Sequence, residues 1–146
     1  MFERIVVGTD GSETAGEAVR QAAELAAMTG AKLEIVSAYE PVSRERLREE
    51  AGEIPGDVAH AVGPREDVNV ILEAAAGPPR ERGLEVVAHP REGDAADAIL
   101  SVAEETRADL IVVGNKGMTG ARRLLGSVPN KISHNAPCGV YIVRTT

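Results

Sequence analysis

The chain has 146 residues, 43% hydrophobic and 27% charged, with a formal net charge of -7; this length suits one domain that buries about two-thirds of its unfolded surface, and this balance excludes disorder throughout. The negative charge repels phosphate backbones and anionic lipid over most of the surface, so neither nucleic acid nor membrane is an expected partner. Phe2, Tyr39 and Tyr141 are the only aromatic residues, which removes the stacking platforms of single-strand binders and leaves Val, Ile, Leu and Ala to build the core.

Short apolar runs alternate with longer helical patterns along the chain, as in a parallel sheet covered by helices. Arg4 to Thr9 (RIVVGT) reads as the first strand. A helix opens near Ser12, runs through Ala18, Val19, Ala22, Ala23, Leu25 and Ala26, and stops at Gly30, which enters the left-handed conformation freely. Lys32 to Ala38 is the second strand. Glu40 to Arg65 mixes the charged run Arg44 to Glu50 with Gly52, Pro55, Gly56, Gly63 and Pro64, and reads as irregular. A second helix is expected over Val68 to Arg82, its regular part ended early by Gly77-Pro78-Pro79. Leu84 to His89 gives the third strand, and Asp94 caps a helix that reaches Arg107 with Ala95, Ala98, Ile99, Val102 and Ala103 on one face. Asp109 to Gly114 is the fourth strand. The last helix opens near Ser127 or Pro129 and ends before Pro137, ahead of a fifth strand at Gly139 to Arg144. The lone Cys138 has no partner for an internal disulfide, the amino terminus has no charged-then-apolar signal pattern, and no apolar run nears the ~20 residues of a membrane helix. The expected compartment is the cytoplasm.

Ligands of open parallel sheets sit beyond the carboxyl ends of the strands. Two post-strand loops stand out there: Thr9-Asp10-Gly11-Ser12, and the stretch from Gly114 through Lys116, Gly117 and Gly120 to Gly126 and Ser127. Glycines let backbone amides approach an anion, and a helix start at Ser127 adds partial positive charge, so this second loop is a candidate phosphate nest or, equally, a turn with only a geometric role. Neither G-x-x-x-x-G-K-S/T nor G-x-G-x-x-G occurs, which excludes a P-loop and a dinucleotide fingerprint. Asp10 either accepts amides of its own turn or faces a ligand. Lys116, Arg122 and Arg123 either reach an anion or are solvated. His60, His89 and His134 form no metal or catalytic spacing with Cys138 or with one another.

The runs Ile5 to Ser12 (IVVGTDGS), Val112 to Gly117 (VVGNKG), Gly126 to Asn130 (GSVPN) and Ala136 to Val143 (APCGVYIV) resemble universal stress proteins over nearly the whole chain except residues 40–65. The fold this implies is a single doubly wound, Rossmann-like α/β domain with a five-stranded, mostly parallel sheet in the order 3-2-1-4-5 and helices on both faces. The family's ATP-binding branch is similar at G-x2-G-x9-G-S/T; here Gly114, Gly117, Gly126 and Ser127 stand in that order with one residue fewer between Gly117 and Gly126. The resemblance implies phosphate contacts at Gly117, Gly126, Ser127 and the Val128 amide, with Gly114 lining the turn. It also implies that Asp10 faces the ribose or a metal-bridged phosphate, and that the backbone near Ala38 meets the adenine edge. Thr9, Val113 and Lys116 complete the expected site. The ligand is ATP, with Mg²⁺ or Mn²⁺ held at Asp10, or cyclic AMP, whose single phosphate tolerates the shorter loop more easily. A homodimer through residues 139–144 is expected as well, because an apolar edge strand invites pairing.

The function these features imply is a nucleotide-responsive stress-response switch without dedicated catalysis. A slow metal-dependent ATPase or phosphotransferase is the competing reading, weakened by the lack of an evident general base. A receiver domain is excluded, since Asp10 stands alone after the first strand while His89 and Arg144 occupy the places of its acceptor Asp and its Lys.

Overall fold

The computed structural model describes residues 2–40, 64–115 and 127–145. In chain order these form β1 (Arg4–Gly8), α1 (Glu13–Thr29), β2 (Lys32–Tyr39), α2 (Pro64–Glu81), β3 (Val86–Glu92), α3 (Ala95–Thr106), β4 (Leu110–Gly114), α4 (Ser127–Asn135) and β5 (Gly139–Val143). The sheet order is β3-β2-β1-β4-β5, and every pairing is parallel. The chain thus moves outward from β1 to β2 and β3, then crosses back to β4 and β5 on the other side. The reversal opens a crevice at the carboxyl ends of β1 and β4.

Alternate residues of each strand serve opposite faces. Ile5, Val7, Leu33, Ile35, Leu110, Val112 and Val143 pack with Ala18, Val19, Ala22, Ala23 and Ala26 of α1 and Val68, Leu72 and Ala76 of α2. Val6, Val36, Ile111 and Val113 pack with Ile99, Val102 and Ala103 of α3 and Ile132 of α4. Each fully buried Ile, Leu or Val side chain contributes ~1.5–3 kcal/mol. The small alanines of α1 keep that helix close to the sheet. The helix ends follow the capping chemistry: the Ser12 hydroxyl accepts the Ala15 amide, Gly30 closes α1 at φ 79°, and the Asp94 carboxylate accepts the Asp97 amide.

Two elements depart from the sequence expectation. The second helix begins at Pro64 rather than Val68 and continues through Pro78 and Pro79 to Glu81. Proline is favourable in a first turn. Near the other end, Gly77 has no Cβ to clash with the following ring, and the carbonyls of Pro78 and Pro79 still accept from Arg82 and Leu84. The third strand is displaced to Val86–Glu92, because the Leu84 amide is bound to Pro79 in the helix-to-strand turn and the ladder with β2 runs from Leu33–Val86 to Tyr39–Glu92. Pro90 is accommodated because β3 is an edge strand. Most of the expected irregular stretch at residues 40–65 lies outside the described residues. Among the described residues no helix is long and apolar enough to cross a membrane.

Candidate functional site

The cleft at the switch point is lined on the β1 side by Gly8, Thr9, Asp10 and Ser12, and on the β4 side by Val113, Gly114 and Val128. Val36 and Ala38 at the end of β2 and Ala95 and Ile99 at the start of α3 supply an apolar wall. A Cβ at Gly8 would meet the end of the Ile99 side chain, which would have to turn aside and reshape that wall. The enclosed part measures about 90 Å³, well below the ~300 Å³ and more of pockets that surround whole ligands. A cofactor-sized molecule would therefore lie partly along the open mouth.

The two sides of the cleft differ chemically. On the β1 side the turn satisfies its own amides: Thr9 Oγ1 accepts from Gly11 N at 3.1 Å, Asp10 Oδ1 from Ser12 N at 2.9 Å, and Ser12 Oγ from Ala15 N at 3.2 Å. The Thr9 amide is itself bound to the Val36 carbonyl at 2.9 Å. This turn offers hydroxyls and an exposed carboxylate, and its Gly11, Ser12 and Ala15 amides are already bonded to side chains of the turn. Asp10 therefore has the local turn role, and its exposed carboxylate still borders the cleft. On the β4 side, α4 begins at Ser127 and its second residue, Val128, lines the cleft, so the positive end of that helix dipole stands at the rim.

Thr9, Asp10, Ala38, Val113, Gly114 and Val128 are brought together around one cleft, with Ser127 at the adjoining helix start. Lys116, Gly117 and Gly126 lie outside the described residues, as do Arg122, Arg123 and His60. Lys131, one turn into α4, is engaged by Asp97 at 2.8 Å and Asp94 at 3.4 Å; these carboxylates raise its pKa, and the Asp97 amide, with Lys131, lowers that of Asp94. Its charge is thus spent on tying α4 to α3. Among the described residues no three His, Cys, Asp or Glu side chains could together hold a metal ion. Burial pushes the Cys138 thiol up, with Asp109 adding to the effect, which opposes a nucleophilic role.

Ser12, Thr14, Ala15, Ala95, Ile99 and Thr145 also line the cleft and were not singled out as site residues from sequence. One signal was available: the helix after a parallel strand starts at the sheet's carboxyl end, which places the first turns of α1 and α3 there. Thr145 had no such signal. It arrives because the chain continues past β5 alongside the end of β4, where Asn115 Oδ1 accepts from the Thr145 amide at 2.9 Å and from its hydroxyl at 2.8 Å.

The family model for the universal stress protein family matches residues 1–144. A universal stress protein of Mycobacterium tuberculosis is 42% identical over 147 residues, covering 99% of this chain and 98% of the relative. One of Thermus aquaticus is 37% identical, covering 99% of this chain and all of the relative. Among solved structures, a universal stress protein in complex with cAMP superposes with a TM-score of 0.73 at 36% identity, covering 99% of both chains.

Proposed function

The chain belongs to the universal stress protein family, and from that premise we propose that it binds an adenine nucleotide, ATP or cyclic AMP, across the β1–β4 cleft and acts as a nucleotide-responsive switch rather than a dedicated catalyst. The observation that carries this reading is the division of the cleft. Hydroxyls and the Asp10 carboxylate stand on one side, a helix start on the other, and an apolar wall of Val36, Ala38 and Ile99 lies between them. A nucleoside phosphate has the matching order of parts: ribose hydroxyls, an anion and a flat base. The cAMP complex of a relative 36% identical to this chain supports the same assignment.

In this reading the amides of Gly117, Gly126, Ser127 and Val128 hold phosphate, assisted by Lys116, while Gly114 and Val113 line the turn, Thr9 and Asp10 face the ribose, and the Ala38 backbone meets the adenine. With ATP, one exposed carboxylate such as Asp10 fits Mg²⁺ or Mn²⁺, because such ions take most of their ligands from phosphate and water. The lone Cys138 suits a reducing cytoplasm. A homodimer through β5 completes the proposal: this strand is a sheet edge with Tyr141 and Ile142 38% and 42% exposed, and an edge of that kind pairs with its own copy about a two-fold axis. Isothermal titration of nucleotide-free protein with ATP plus Mg²⁺ and with cyclic AMP tests the ligand, and light scattering at micromolar concentration tests the dimer. Saturable binding of at least one nucleotide is the expected result; no heat from either at millimolar ligand overturns the reading.

A further inference from the structure

A groove distinct from the β1–β4 cleft runs between α1 and α2. Its walls are apolar, with Val19 and Ala23 on α1 and Val70, Ile71 and Ala74 on α2. Val70 is 70% exposed, and a Cβ placed on Gly16 would meet nothing within 4 Å, so the two helices leave the space between them open. Both ends are bounded. At one, the turn after β1 reaches α2, where a Cβ on Gly11 would stand 3.0 Å from Ile71 Cγ1. At the other, Arg82 beyond α2 holds Glu24 of α1 at 2.9 Å. The groove measures about 620 Å³, within the ~300–1,000 Å³ of small-molecule sites. A partner helix or strand laid along it would run into the two ends, whereas a compact molecule fits between them.

Two features of the walls define the chemistry of that molecule. The charged side chains lining the groove are already engaged, Arg20 by Glu17 and Arg82 by Glu24, so a neutral molecule suits it better than one that buries a further charge. The second feature is a backbone carbonyl. A helical carbonyl accepts from the N–H four residues on, or three on in a 3-10 turn. For Ala75 those residues are Pro79 and Pro78, and proline has no N–H to give. All three residues line the groove. The wall thus carries an acceptor that its own helix does not serve in either pattern. We infer that this groove is a second binding site, which takes a neutral, apolar small molecule bearing one hydroxyl or N–H donor, of the aryl alcohol or indole kind. The Ala75 carbonyl receives the donor, and the apolar walls cover the rings. The inference stands independently of the nucleotide reading.

The test is amide chemical-shift mapping of the full chain by NMR, with β-naphthol and with its methyl ether as probes. The ether keeps both rings and lacks the donor. Naphthol should shift the amides of Val70, Ile71 and Ala74, and the ether should bind about fivefold more weakly, the scale of one neutral hydrogen bond. Pro79→Ala supplies the Ala75 carbonyl with an N–H of its own helix, so this variant should bind both probes alike. Ala74→Phe fills the groove and should weaken both about tenfold or more, which keeps the test decisive should Pro79→Ala rearrange the helix end. Circular dichroism checks that each variant folds. Naphthol bound no more tightly than its ether by wild type, a preference that survives in Pro79→Ala, or binding indifferent to Ala74→Phe overturns the inference. Shifts confined to the β1–β4 cleft, or none at millimolar probe, overturn it as well.

Discussion

The β1–β4 cleft and the β2–β3 edge of the same sheet handle polar groups in opposite ways. At the edge, Glu34 is only 3% exposed, and its Oε1 lies 2.7 Å from His89 Nε2. His89 Nδ1 faces Arg91 Nη2 at 3.4 Å, and Arg91 in turn holds Glu105 through two bonds of 2.8 and 2.9 Å. A guanidinium has only hydrogens to offer, so Nδ1 is the acceptor and Nε2–H donates to Glu34. The network is closed by side chains on β2, β3 and α3. In the cleft, hydroxyls and carboxylate instead satisfy the amides of their own turn, and much of the wall is backbone and small apolar groups. Side chains locked on each other have no capacity left for a ligand, whereas a turn that closes on itself leaves its outer face available. The edge is therefore expected to govern stability, and the cleft affinity.

The sharpest way to break this contrast is His89→Ala. It leaves a buried carboxyl oxygen without its donor, a loss of ~2–3 kcal/mol, read as a lower urea midpoint with nucleotide affinity unchanged. Replacing Glu34 and His89 together by Leu should recover most of that loss, because an apolar pair leaves nothing unsatisfied. A change in affinity without a change in stability would reverse the assignment of the two regions.

On the cleft side, Gly126→Val or Gly117→Val should weaken nucleotide binding at least tenfold, ~1.4 kcal/mol or more, with the circular dichroism spectrum and melting temperature preserved. Asp10→Ala is a milder probe. Removing the carboxylate is expected to lower nucleotide affinity a few-fold, about 1 kcal/mol, while the Ser12 amide turns to solvent. A sharp fall in melting temperature at constant affinity would confine Asp10 to its turn.

The smallest effect is a pH dependence outside both regions. The amides of Arg4 and Glu3, the latter 2.6 Å from Asp109 Oδ2, hold the Asp109 carboxyl below its usual range, and the Asp97 amide does the same for Asp94. A depressed folded-state pKa stabilises above the unfolded value and is lost as pH falls through the folded one. Urea midpoints should thus decline below about pH 4, and Asp109→Asn should flatten part of that decline.

Fold and cleft were unequally legible in the sequence. Strands β1, β2, β4 and β5 are β-branched runs within a residue of their observed bounds, and Ser12, Gly30 and Asp94 mark helix ends by local chemistry that distant contacts do not override. Strand β3 was displaced because its start is decided by the bond between Leu84 and Pro79, which depends on how α2 ends. Thr9, Asp10, Gly114 and Val128 could be assigned to one cleft because chain order and sheet topology are linked. Glu34 could not be distinguished from an exposed strand residue, as only the approach of His89 from β3 makes its burial tolerable. Thr145 was invisible for a related reason: its position comes from a hydrogen bond to a residue 30 positions earlier.

The sparse aromatic inventory also has an optical consequence. With no tryptophan in the chain, emission excited above the phenylalanine absorption band comes from Tyr39 and Tyr141, and the two occupy different neighbourhoods. Tyr141 stands on the β5 edge with its hydroxyl donating to Gln21 of α1 at 2.5 Å, while Tyr39 ends β2 beside Ala38 and receives a hydrogen bond from Arg65 at 3.2 Å. Tyr39→Phe would leave a single natural fluorophore on the sheet edge, so that a change of its environment upon self-association could be followed in the unlabelled protein.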